Sequence, residues 1–368
     1  NKIVKILFLM DSRATYSYSR NVLIHFKNKN KNKIKILVTG NYLDKRFGVN
    51  LGQFKKDGIK IDEKIKFKSP KIEKNSWSLS LGNAIKEFSK KLKKINPSLV
   101  VVTGDRIETL GMTLAAAYMN ISIAHIQAGD KSGHIDDLSR SAIAKYSNIH
   151  FSSCKDSSKR LKRWGEKDSR IFEVGAPQLD DIKKISNVKK IKTNNFIVLF
   201  HPVLNEINEV ENQMKNLIKT LKKFNNKIYW IYPNNDFGFQ LILKLLKKNN
   251  LKNITIIKNL DRDKFIDLLS TSKLLIGNSS CGIIEAASFR LPVINIGTRQ
   301  AGRPQSKNIL NSSYECTEIE RQINYALSKK FQIKCNTVKN LYFKRNSGYL
   351  IFKVLNQLNT NSKILKKY

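Results

Sequence analysis

The chain has 368 residues, more than one hydrophobic core usually fills, so its length predicts two domains. Its apolar share of 41% is ample for two packed cores and argues against a disordered protein. The net charge of +39 would attract nucleic acid or an anionic membrane, but it comes from 54 lysines and only 14 arginines spread along the chain, so we expect neither partner.

The first half of the chain alternates short β-branched runs with amphipathic stretches, a pattern typical of a parallel sheet flanked by helices. The predicted strands are, in chain order, Ile3–Met10, Ile34–Thr39, Leu99–Thr103, Ser122–Gln127, Ile149–Ser152 and Ile171–Val174. The helical patterns between them are Ser78–Ile95, Glu108–Met119, Asp136–Tyr146 and Asp156–Trp164. The first strand is interrupted by Lys5 and is too short for a signal peptide or a membrane span, so we expect neither there.

The pattern weakens over residues 178–195, where polar and lysine-rich sequence predicts a linker, and then a second strand–helix series begins. Its predicted strands are Phe196–Phe200, Ile228–Tyr232, Ile254–Ile257, Leu274–Ile276 and Val293–Ile296. We therefore expect two Rossmann-like, doubly wound α/β domains, residues 1–177 and 196–340, that face each other across a cleft. Tyr342 to Leu358 has a helical pattern, and residues 341–368 are expected to return to the first domain.

No cofactor or redox motif is present in the sequence. The four cysteines form no CxxC pair and no zinc-ligand spacing, which predicts reduced thiols in a cytoplasmic protein; they are Cys154, Cys281, Cys316 and Cys335. GxGxxG, GxxxxGK[ST] and GxSxG motifs are also missing, so NAD-binding, P-loop and nucleophilic-serine functions lack their signatures and no cofactor is predicted.

Polar and titratable residues follow the predicted strands, at the edge where open α/β sheets bind their ligands. The segments are Gly104-Asp105-Arg106, Ala128 to Asp137, His201-Pro202-Val203, Pro233 to Asp236, Gly277 to Gly282 and Gly297 to Gln300. His201 taken alone could be a turn residue that bonds backbone groups. Together these segments carry more polar groups than turns require, and they predict a binding site.

The segment from Gly277 to Glu285 has the composition of an anion site. A glycine turn, the hydroxyls of Ser279 and Ser280, and backbone N–H groups at a helix start suit a diphosphate. Glu285 could then accept hydrogen bonds from ribose hydroxyls. The structural alternative is that one serine caps the helix and Glu285 interacts with its dipole. Arg299, after the next strand, favours an anion.

The carboxylates of the first half are ambiguous one by one. Asp105 could bond to turn amides, and Asp136 could cap a helix or pair with Arg140. A metal site is not expected, because the available residues show no HExxH or similar ligand spacing; they are His125, Asp130, His134, Asp136 and Asp137.

In combination, these segments closely resemble the UDP-N-acetylglucosamine 2-epimerases, in particular the hydrolysing branch that feeds nonulosonic (sialic-type) acid synthesis. The matching segments run from Arg13 to Arg303 in the same order and spacing: Gly104-Asp105-Arg106, Ser132 to Asp137 with Arg140, His201-Pro202-Val203, Gly277 to Glu285 and Gly297 to Gln300. The resemblance implies a glycosyltransferase-B-like pair of domains and a metal-free mechanism. We also expect a homo-oligomer, a dimer or a tetramer.

The resemblance implies roles for single residues and a reaction. The residues that would hold the UDP-sugar are Arg13, Arg106, His201, Asn234, Ser279, Ser280, Gly282, Glu285 and Arg299, with the backbone of Leu260 near uracil. The candidate catalytic residues are Asp105, Asp136, Asp130, His201 and Gln127. The implied reaction removes the C2 proton of the sugar as UDP leaves, which gives a glycal. Water then adds with protonation from the other face and releases the free C2-inverted sugar. Carboxylates suit the proton transfers, and arginines with helix-end amides suit the departing diphosphate.

Gln127 departs from the family, which often keeps a glutamate there, and a carboxamide cannot act as a base. Either Asp130, Asp105 or Asp136 takes that role, or the chain belongs to a sub-branch with a modified substrate. Our first prediction is a hydrolysing 2-epimerase of UDP-GlcNAc or a closely related UDP-2-acetamido sugar, because the Ser132–Asp137 segment favours hydrolysis. The sub-branch alternative is a hydrolysing UDP-N,N'-diacetylbacillosamine 2-epimerase. A non-hydrolysing 2-epimerase, a glycosyltransferase of the same architecture and a basic nucleic-acid binder are the remaining alternatives.

Overall fold

A computed structural model describes residues 5–44, 51–66, 76–133, 136–182, 192–234, 236, 238–249, 252–258, 260–359 and 362. The chain divides into two compact units. The first unit contains Asn1–Lys131, Asp136–Asp181 and Tyr342–Tyr368, and the second contains Ser132–Ile135 and Ile182–Leu341. Three separate segments of the chain therefore build the first unit, and two build the second.

The first unit is built on a parallel sheet. Its strands are β1 (Ile6–Met10), β2 (Ile34–Val38), β3 (Glu63–Lys64), β4 (Leu99–Thr103), β5 (Ser122–Ile126), β6 (Ile149–Ser152) and β7 (Ile171–Glu173). They lie in the order β3-β2-β1-β4-β5-β6-β7, and Ile6 of β1 is in register with Ile34 of β2 and Leu99 of β4. The central strands β1 and β4 are buried along their whole length, as expected for a parallel sheet covered on both faces.

Helices cover the two faces of this sheet. They are α1 (Arg13–Asn30), α2 (Gly52–Lys56), α3 (Ser76–Ile95), α4 (Ile107–Tyr118), α5 (Asp136–Tyr146), α6 (Lys155–Arg163) and, near the end of the chain, α13 (Ser347–Gln357). Successive side chains of a strand point to opposite faces. Leu7 and Leu9 accordingly belong to a core cluster shared with α3 and α4. Phe8 instead contacts Phe26 of α1, whose ring lies 4.8 Å from that of Phe352 in α13.

Helix α1 begins immediately after β1 because a capping box stops the strand. The N–H of Thr15 donates to Ser12 Oγ (3.4 Å), and the N–H of Ser12 donates to Thr15 Oγ1 (3.1 Å). This reciprocal pair satisfies two backbone donors at the helix start. It places Arg13 at the first helical position, next to the carboxyl end of β1.

The second unit repeats the architecture. Its strands are β8 (Phe196–Leu199), β9 (Ile228–Ile231), β10 (Ile254–Ile257), β11 (Leu274–Gly277), β12 (Val293–Ile296) and β13 (Ile309–Ser312), in the parallel order β10-β9-β8-β11-β12-β13. Its helices are α7 (Val210–Leu221), α8 (Phe239–Lys248), α9 (Arg262–Thr271), α10 (Ser280–Ile284), α11 (Cys316–Leu327) and α12 (Lys329–Asn336). Trp230 of β9 is fully buried in a core with Met214 of α7, Leu246 of α8 and Ile323 of α11.

The two ends of the stretch predicted as a linker, residues 178–195, are packed. Asp181 accepts a hydrogen bond from Asn21 Nδ2 (2.9 Å) in the first unit, and the N–H of Thr193 donates to the carbonyl of Thr271 (2.7 Å) in the second. Residues 183–191 lie outside the described residues. The C-terminal helix is shorter than Tyr342 to Leu358, because α13 begins at Ser347, where Asp180 accepts the N–H of that residue (3.1 Å).

The cysteines are free thiols, and three of the four are buried. Burial raises the pKa of Cys281 to about 12 and that of Cys335 to about 11, so both thiols are protonated and unreactive at neutral pH. Across the described helices, none combines the length and the apolar character that a membrane span requires.

Candidate functional site

Each sheet has a point at which its strand order reverses. In the first sheet this point lies between β1 and β4, and in the second between β8 and β11. In open α/β sheets such points, at the carboxyl ends of the strands, are where ligands bind. The residues there are Asp11 and Gly104 in the first unit and His201 and Asn278 in the second. Three of the segments singled out from the sequence therefore lie at these points, namely Gly104-Asp105-Arg106, His201-Pro202-Val203 and Gly277 to Gly282, and the other three follow β5, β9 and β12.

A buried arginine contacts two carboxylates of the first unit. Arg140 of α5 is only 2% exposed; its Nη2 contacts Asp105 Oδ2, and its Nη1 donates to Asp137 Oδ1 and to the backbone oxygen of Asp130, both at 3.1 Å. Asp137 is thus a carboxylate on α5 that pairs with Arg140. Asp136 is the first residue of α5 and is half-buried. Its neighbours His134 and Ile135 lie outside the described residues.

Gln127 directly follows β5 in a left-handed conformation, with φ of 65°. Its Nε2 contacts the hydroxyl of Tyr18 and lies 3.5 Å from Asp130 Oδ2. A positive φ is uncommon for a residue with a side chain and is tolerated where the surroundings fix it, often at functional positions. The carboxamide therefore sits as a donor between a phenol and a carboxylate.

Asp130 is buried and accepts several hydrogen bonds. Its Oδ1 accepts from Ser157 Oγ (2.7 Å) and contacts the hydroxyl of Ser153, while its Oδ2 faces Gln127. Donors to a carboxylate stabilise its ionised form. Asp130 thus joins the end of β5 to the start of α6.

His125, one of the residues weighed for a metal site, has a structural partner. Its Nε2 lies 2.7 Å from the carbonyl oxygen of Gly104, and burial lowers the pKa of His125 to about 3. The ring is therefore neutral, with Nε2–H donating to Gly104 and supporting the turn before Asp105. Within the ranges that the structure describes, no group of three or more His, Cys, Asp or Glu side chains could hold a metal ion.

His201 and Asn278 connect the two central strands of the second unit. The N–H of His201 donates to Asn278 Oδ1 (2.7 Å), and Asn278 Nδ2 donates to the carbonyl of His201 (2.8 Å). The N–H of Asn234 donates to His201 Nδ1 (3.1 Å), which leaves Nε2 as the protonated nitrogen of the neutral ring. His201 is 3% exposed; Asn278 holds its backbone, and the N–H of Asn234 holds its ring.

Arg299 lies beside this pair. Its Nη1 donates to the carbonyl of Asn278 (3.2 Å) and its Nη2 to Asp236 Oδ2 (3.1 Å). Gln300 Nε2 donates to the same carbonyl of Asn278 (3.1 Å). The guanidinium carries five N–H groups and these bonds use two, so Arg299 is held in place with donors remaining for an anion.

The start of α10 carries the two serines. Ser279 is the cap, because its Oγ accepts from the N–H of Cys281 (3.5 Å), and Ser280 is the first helical residue. The helix ends at Ile284, and Glu285 is the residue that follows it. Gly282 faces away from the strand-end loops, since a Cβ there would lie 3.0 Å from Val293 Cγ1.

Glu285 has a partner that the sequence did not suggest. Its Oε1 lies 2.5 Å from Arg262 Nη1, and both side chains are buried. Arg262 is the first residue of α9, two residues after Leu260, which is half-buried. The ion pair therefore joins the segment after α10 to the segment assigned to uracil.

Arg106 follows β4 next to Asp11 and Glu108. Its Nε lies 3.9 Å from Asp11 Oδ1 and 3.5 Å from Glu108 Oε2. Asp11 is fully buried directly after β1. Asp11 also directly follows a strand, so the reasoning that identified the other strand-end residues applies to it as well. It was not singled out from the sequence because a single aspartate before a helix has the pattern of a helix cap.

Comparison with known proteins is consistent with this geometry. The sequence profile of the family described as UDP-N-acetylglucosamine 2-epimerase matches residues 25–356. The UDP-N,N'-diacetylbacillosamine 2-epimerase (hydrolyzing) of Legionella pneumophila is 32% identical over 376 residues and covers 99% of both chains. The GDP/UDP-N,N'-diacetylbacillosamine 2-epimerase (hydrolyzing) of Campylobacter jejuni is 30% identical and covers 89% of this chain and 88% of its own.

A solved structure shows the same fold. It is the UDP-GlcNAc 2-epimerase of Neisseria meningitidis bound to UDP-GlcNAc, with a TM-score of 0.78 and 20% identity, covering 95% of this chain and 99% of its own. At this identity the likeness concerns the fold alone. It confirms the predicted class, two Rossmann-like α/β domains of the glycosyltransferase-B type.

Proposed function

The chain belongs to the UDP-N-acetylglucosamine 2-epimerase family, and we propose that it is a hydrolysing 2-epimerase that acts on a UDP-2-acetamido sugar. The observation that carries the proposal is the Legionella relative, which is named hydrolyzing and matches nearly the whole of both chains. The strand-end residues support it, because they supply donors for a diphosphate in one unit and carboxylates in the other.

The substrate we propose first is UDP-N,N'-diacetylbacillosamine. Both relatives described above carry that sugar in their names. UDP-GlcNAc, the substrate first expected from the sequence motifs, is the second candidate, and the name of the matching family favours it. Gln127 also favours UDP-N,N'-diacetylbacillosamine. A modified substrate is one of the two explanations given above for a glutamine where the family often keeps a glutamate.

We assign the UDP part of the substrate to residues at the strand ends. Arg299, with donors remaining, and the hydroxyls of Ser279 and Ser280 suit the diphosphate. His201, whose Nε2 carries the proton of the neutral ring, supplies a further donor. The other residues assigned to UDP are Arg13, Arg106, Asn234, Leu260 and Glu285; Gly282 allows α10 to pack closely on β12.

We assign proton transfer to Asp105 and Asp136. Departure of UDP with loss of the C2 proton forms a glycal, and hydration of the glycal returns a proton to C2 from the opposite face. The two faces of the sugar require separate proton-transfer groups. Asp130 accepts hydrogen bonds from serines and faces the Gln127 amide, so we give both of these residues supporting roles in holding the end of β5.

The test is turnover in D₂O, followed by NMR. With UDP-N,N'-diacetylbacillosamine or UDP-GlcNAc we expect free UDP and a free sugar that is inverted and deuterated at C2. A C2-inverted UDP-sugar without free UDP would instead show a non-hydrolysing epimerase. Transfer of the sugar to an acceptor without deuterium at C2 would show a glycosyltransferase.

Substitution of the carboxylates tests the residue roles. Asp105→Asn and Asp136→Asn keep the shape and remove the proton-transfer group, so each should lower kcat by roughly 10²–10⁴-fold, or about 2.7–5.4 kcal/mol of barrier, with little change in UDP affinity. Asp168→Asn is the control, because that side chain is 73% exposed and pairs with Lys162 in a surface contact. An Asp136→Asn variant with the full rate would remove Asp136 from the mechanism.

A further inference from the structure

Two buried carboxylates flank Arg106 at the reversal point of the first sheet. Asp11 is fully buried and Glu108 is 6% exposed. The Nε of Arg106 is the nitrogen that faces both of them, at 3.9 Å from Asp11 Oδ1 and 3.5 Å from Glu108 Oε2. One guanidinium therefore faces two carboxylates in a place with little water, and the group carries a net negative charge when both are ionised.

The surrounding strand ends fix this arrangement. Thr109 Oγ1 donates to Asp11 Oδ2 (3.1 Å), and the N–H of Asp11 donates to Thr15 Oγ1 (3.2 Å). A side chain at Gly40 would lie 2.8 Å from both Asp11 O and Glu108 Oε1, so the loop after β2 packs directly against the pair. In the part of the chain that the structure describes, Asp11 Oδ1 and Glu108 Oε2 accept no hydrogen bond, and these are the oxygens nearest Arg106.

We propose that Asp11 and Glu108 are positioning residues for Arg106, and that the pair takes up a proton from solvent when a nucleoside diphosphate binds. This inference rests on the proposed function, which assigns Arg106 to UDP. The negative charge of the bound nucleotide interacts with the Arg106 guanidinium. The guanidinium then stabilises the ionised forms of Asp11 and Glu108 less than it does in the free protein. Like charges disfavour ionisation, and one carboxyl group then binds a proton.

The environment of Asp11 is suited to this response. Burial raises the pKa of Asp11 to about 6; the charge of Glu108 adds to the rise and Arg106 opposes it. Tyr42 also interacts with Asp11, and burial raises its pKa further above its ordinary value. Arg13 and Asp57 act on Tyr42 in turn, and the pKa of Asp57 is lowered, against the effect of burial, by hydrogen bonds from Arg20 and Tyr16. None of these groups titrates near neutral pH, so the proton belongs to the carboxylate pair.

The sign of the pH dependence follows. With UDP bound, the pKa of Asp11 lies above about 6, its value in the free protein. At a pH between the Asp11 pKa of the free protein and that of the complex, the complex holds a proton that the free protein lacks. The affinity for UDP therefore falls as the pH rises through this range. The loss approaches tenfold for each unit by which UDP raises the pKa, as linkage requires.

The first experiment measures UDP binding by titration calorimetry at several pH values, each in two buffers of different ionisation enthalpy. Asn resembles the protonated carboxyl group, so Asp11→Asn should bind UDP as the wild type does below pH 6 and more tightly than the wild type at pH 8. On binding UDP, Asp11→Asn should also take up fewer protons than the wild type. The protons that UDP itself gains or loses are the same for both proteins, so they cancel in the difference between them. Equal proton uptake by the two proteins would overturn the proposal.

A second variant keeps the test decisive if Asp11→Asn does not fold. Glu108→Gln removes the neighbouring charge that raises the pKa of Asp11, so the pH window of proton uptake should move to lower pH. Glu63→Gln is the control, since it removes a carboxylate of the same unit that pairs with Lys91 away from this group, and it should keep the wild-type window. An unmoved window in Glu108→Gln would also overturn the proposal. Failure of the wild type to bind UDP at all would instead overturn the proposed function, and this inference with it.

Discussion

Gln127 shows how one side chain adapts to its neighbours. Its Nε2 lies 3.5 Å from Asp130 Oδ2 and contacts the Tyr18 hydroxyl, so the position calls for a donor. A glutamate with the same geometry would place two carboxylates against each other in a buried place. Like charges this close cannot both ionise easily, and one pKa rises.

Gln127→Glu should therefore slow the enzyme instead of improving it. The new carboxyl group would be protonated at neutral pH or would repel Asp130, and the end of β5 would be destabilised. We expect a lower kcat and a lower melting temperature, measured with the substrate that the wild type turns over. The double variant Gln127→Glu/Asp130→Asn removes the repulsion and should recover the melting temperature. Faster turnover by Gln127→Glu would mean that the position is a defective base site.

Single residues also mark the limit of sequence-based prediction for the site. Asp105, His201 and Arg299 were identifiable because polar side chains at strand ends are visible in the chain order. The pair of Arg262 and Glu285 was not, because the two residues are distant in sequence and Arg262 has the pattern of an ordinary arginine at a helix start. Such partners follow from packing of the loops, which no local pattern encodes.

Among the elements, the loops after β8, β12 and β13 meet at Glu206. Its Oε1 accepts from Thr298 Oγ1 (2.5 Å), and its Oε2 accepts from Tyr314 Oη (2.5 Å) and from Gln213 Nε2 (2.9 Å). Thr298 directly precedes Arg299. Glu206 therefore fixes the loop that presents Arg299, although it is absent from the residues predicted to bind substrate.

Glu206→Gln should loosen that loop. The amide nitrogen cannot accept a hydrogen bond, so at least one of the groups that now donate to Glu206 loses its acceptor, at a cost of about 1–3 kcal/mol. We expect weaker UDP binding and a lower melting temperature, with kcat less affected than KM. Glu211→Gln is the matched control, because its carboxylate is in an exposed pair with Lys215 on the neighbouring helix. Equal UDP affinity in the two variants would show that Arg299 does not depend on Glu206.

The strands divide into those that the sequence predicts and those that it does not. β1, β4, β8 and β11 are continuous apolar runs because they are buried on both faces, and all were predicted within a few residues of their observed ends. β3 consists only of Glu63–Lys64, and β13 ends in polar residues, so neither has an apolar run. Both lie at sheet edges, where pairing with one neighbour suffices.

For the whole molecule, the net charge of +39 will attract any polyanion, and salt will screen that attraction. A specific UDP site should be distinguishable from this background by thermal unfolding. At about 100 times its Kd, UDP should stabilise the protein by about 2.7 kcal/mol. Pyrophosphate at the same concentration should stabilise it less, since it lacks the uridine. Equal shifts for the two anions, both abolished by salt, would show that charge alone is responsible.

The discontinuous first unit also limits how such a gene can recombine. A crossover after Asp181 would separate α1 from α13 and leave the rings of Phe8 and Phe26 without Phe352 above them. The carboxylate of Asp180 would also lose the hydrogen bonds that it accepts from the N–H groups of Ser347 and Gly348. An exchange of halves between relatives would thus join an α13 from one parent to an α1 from the other. Substitutions at the α1–α13 contact should therefore be inherited as compensating pairs, from distant parts of the gene.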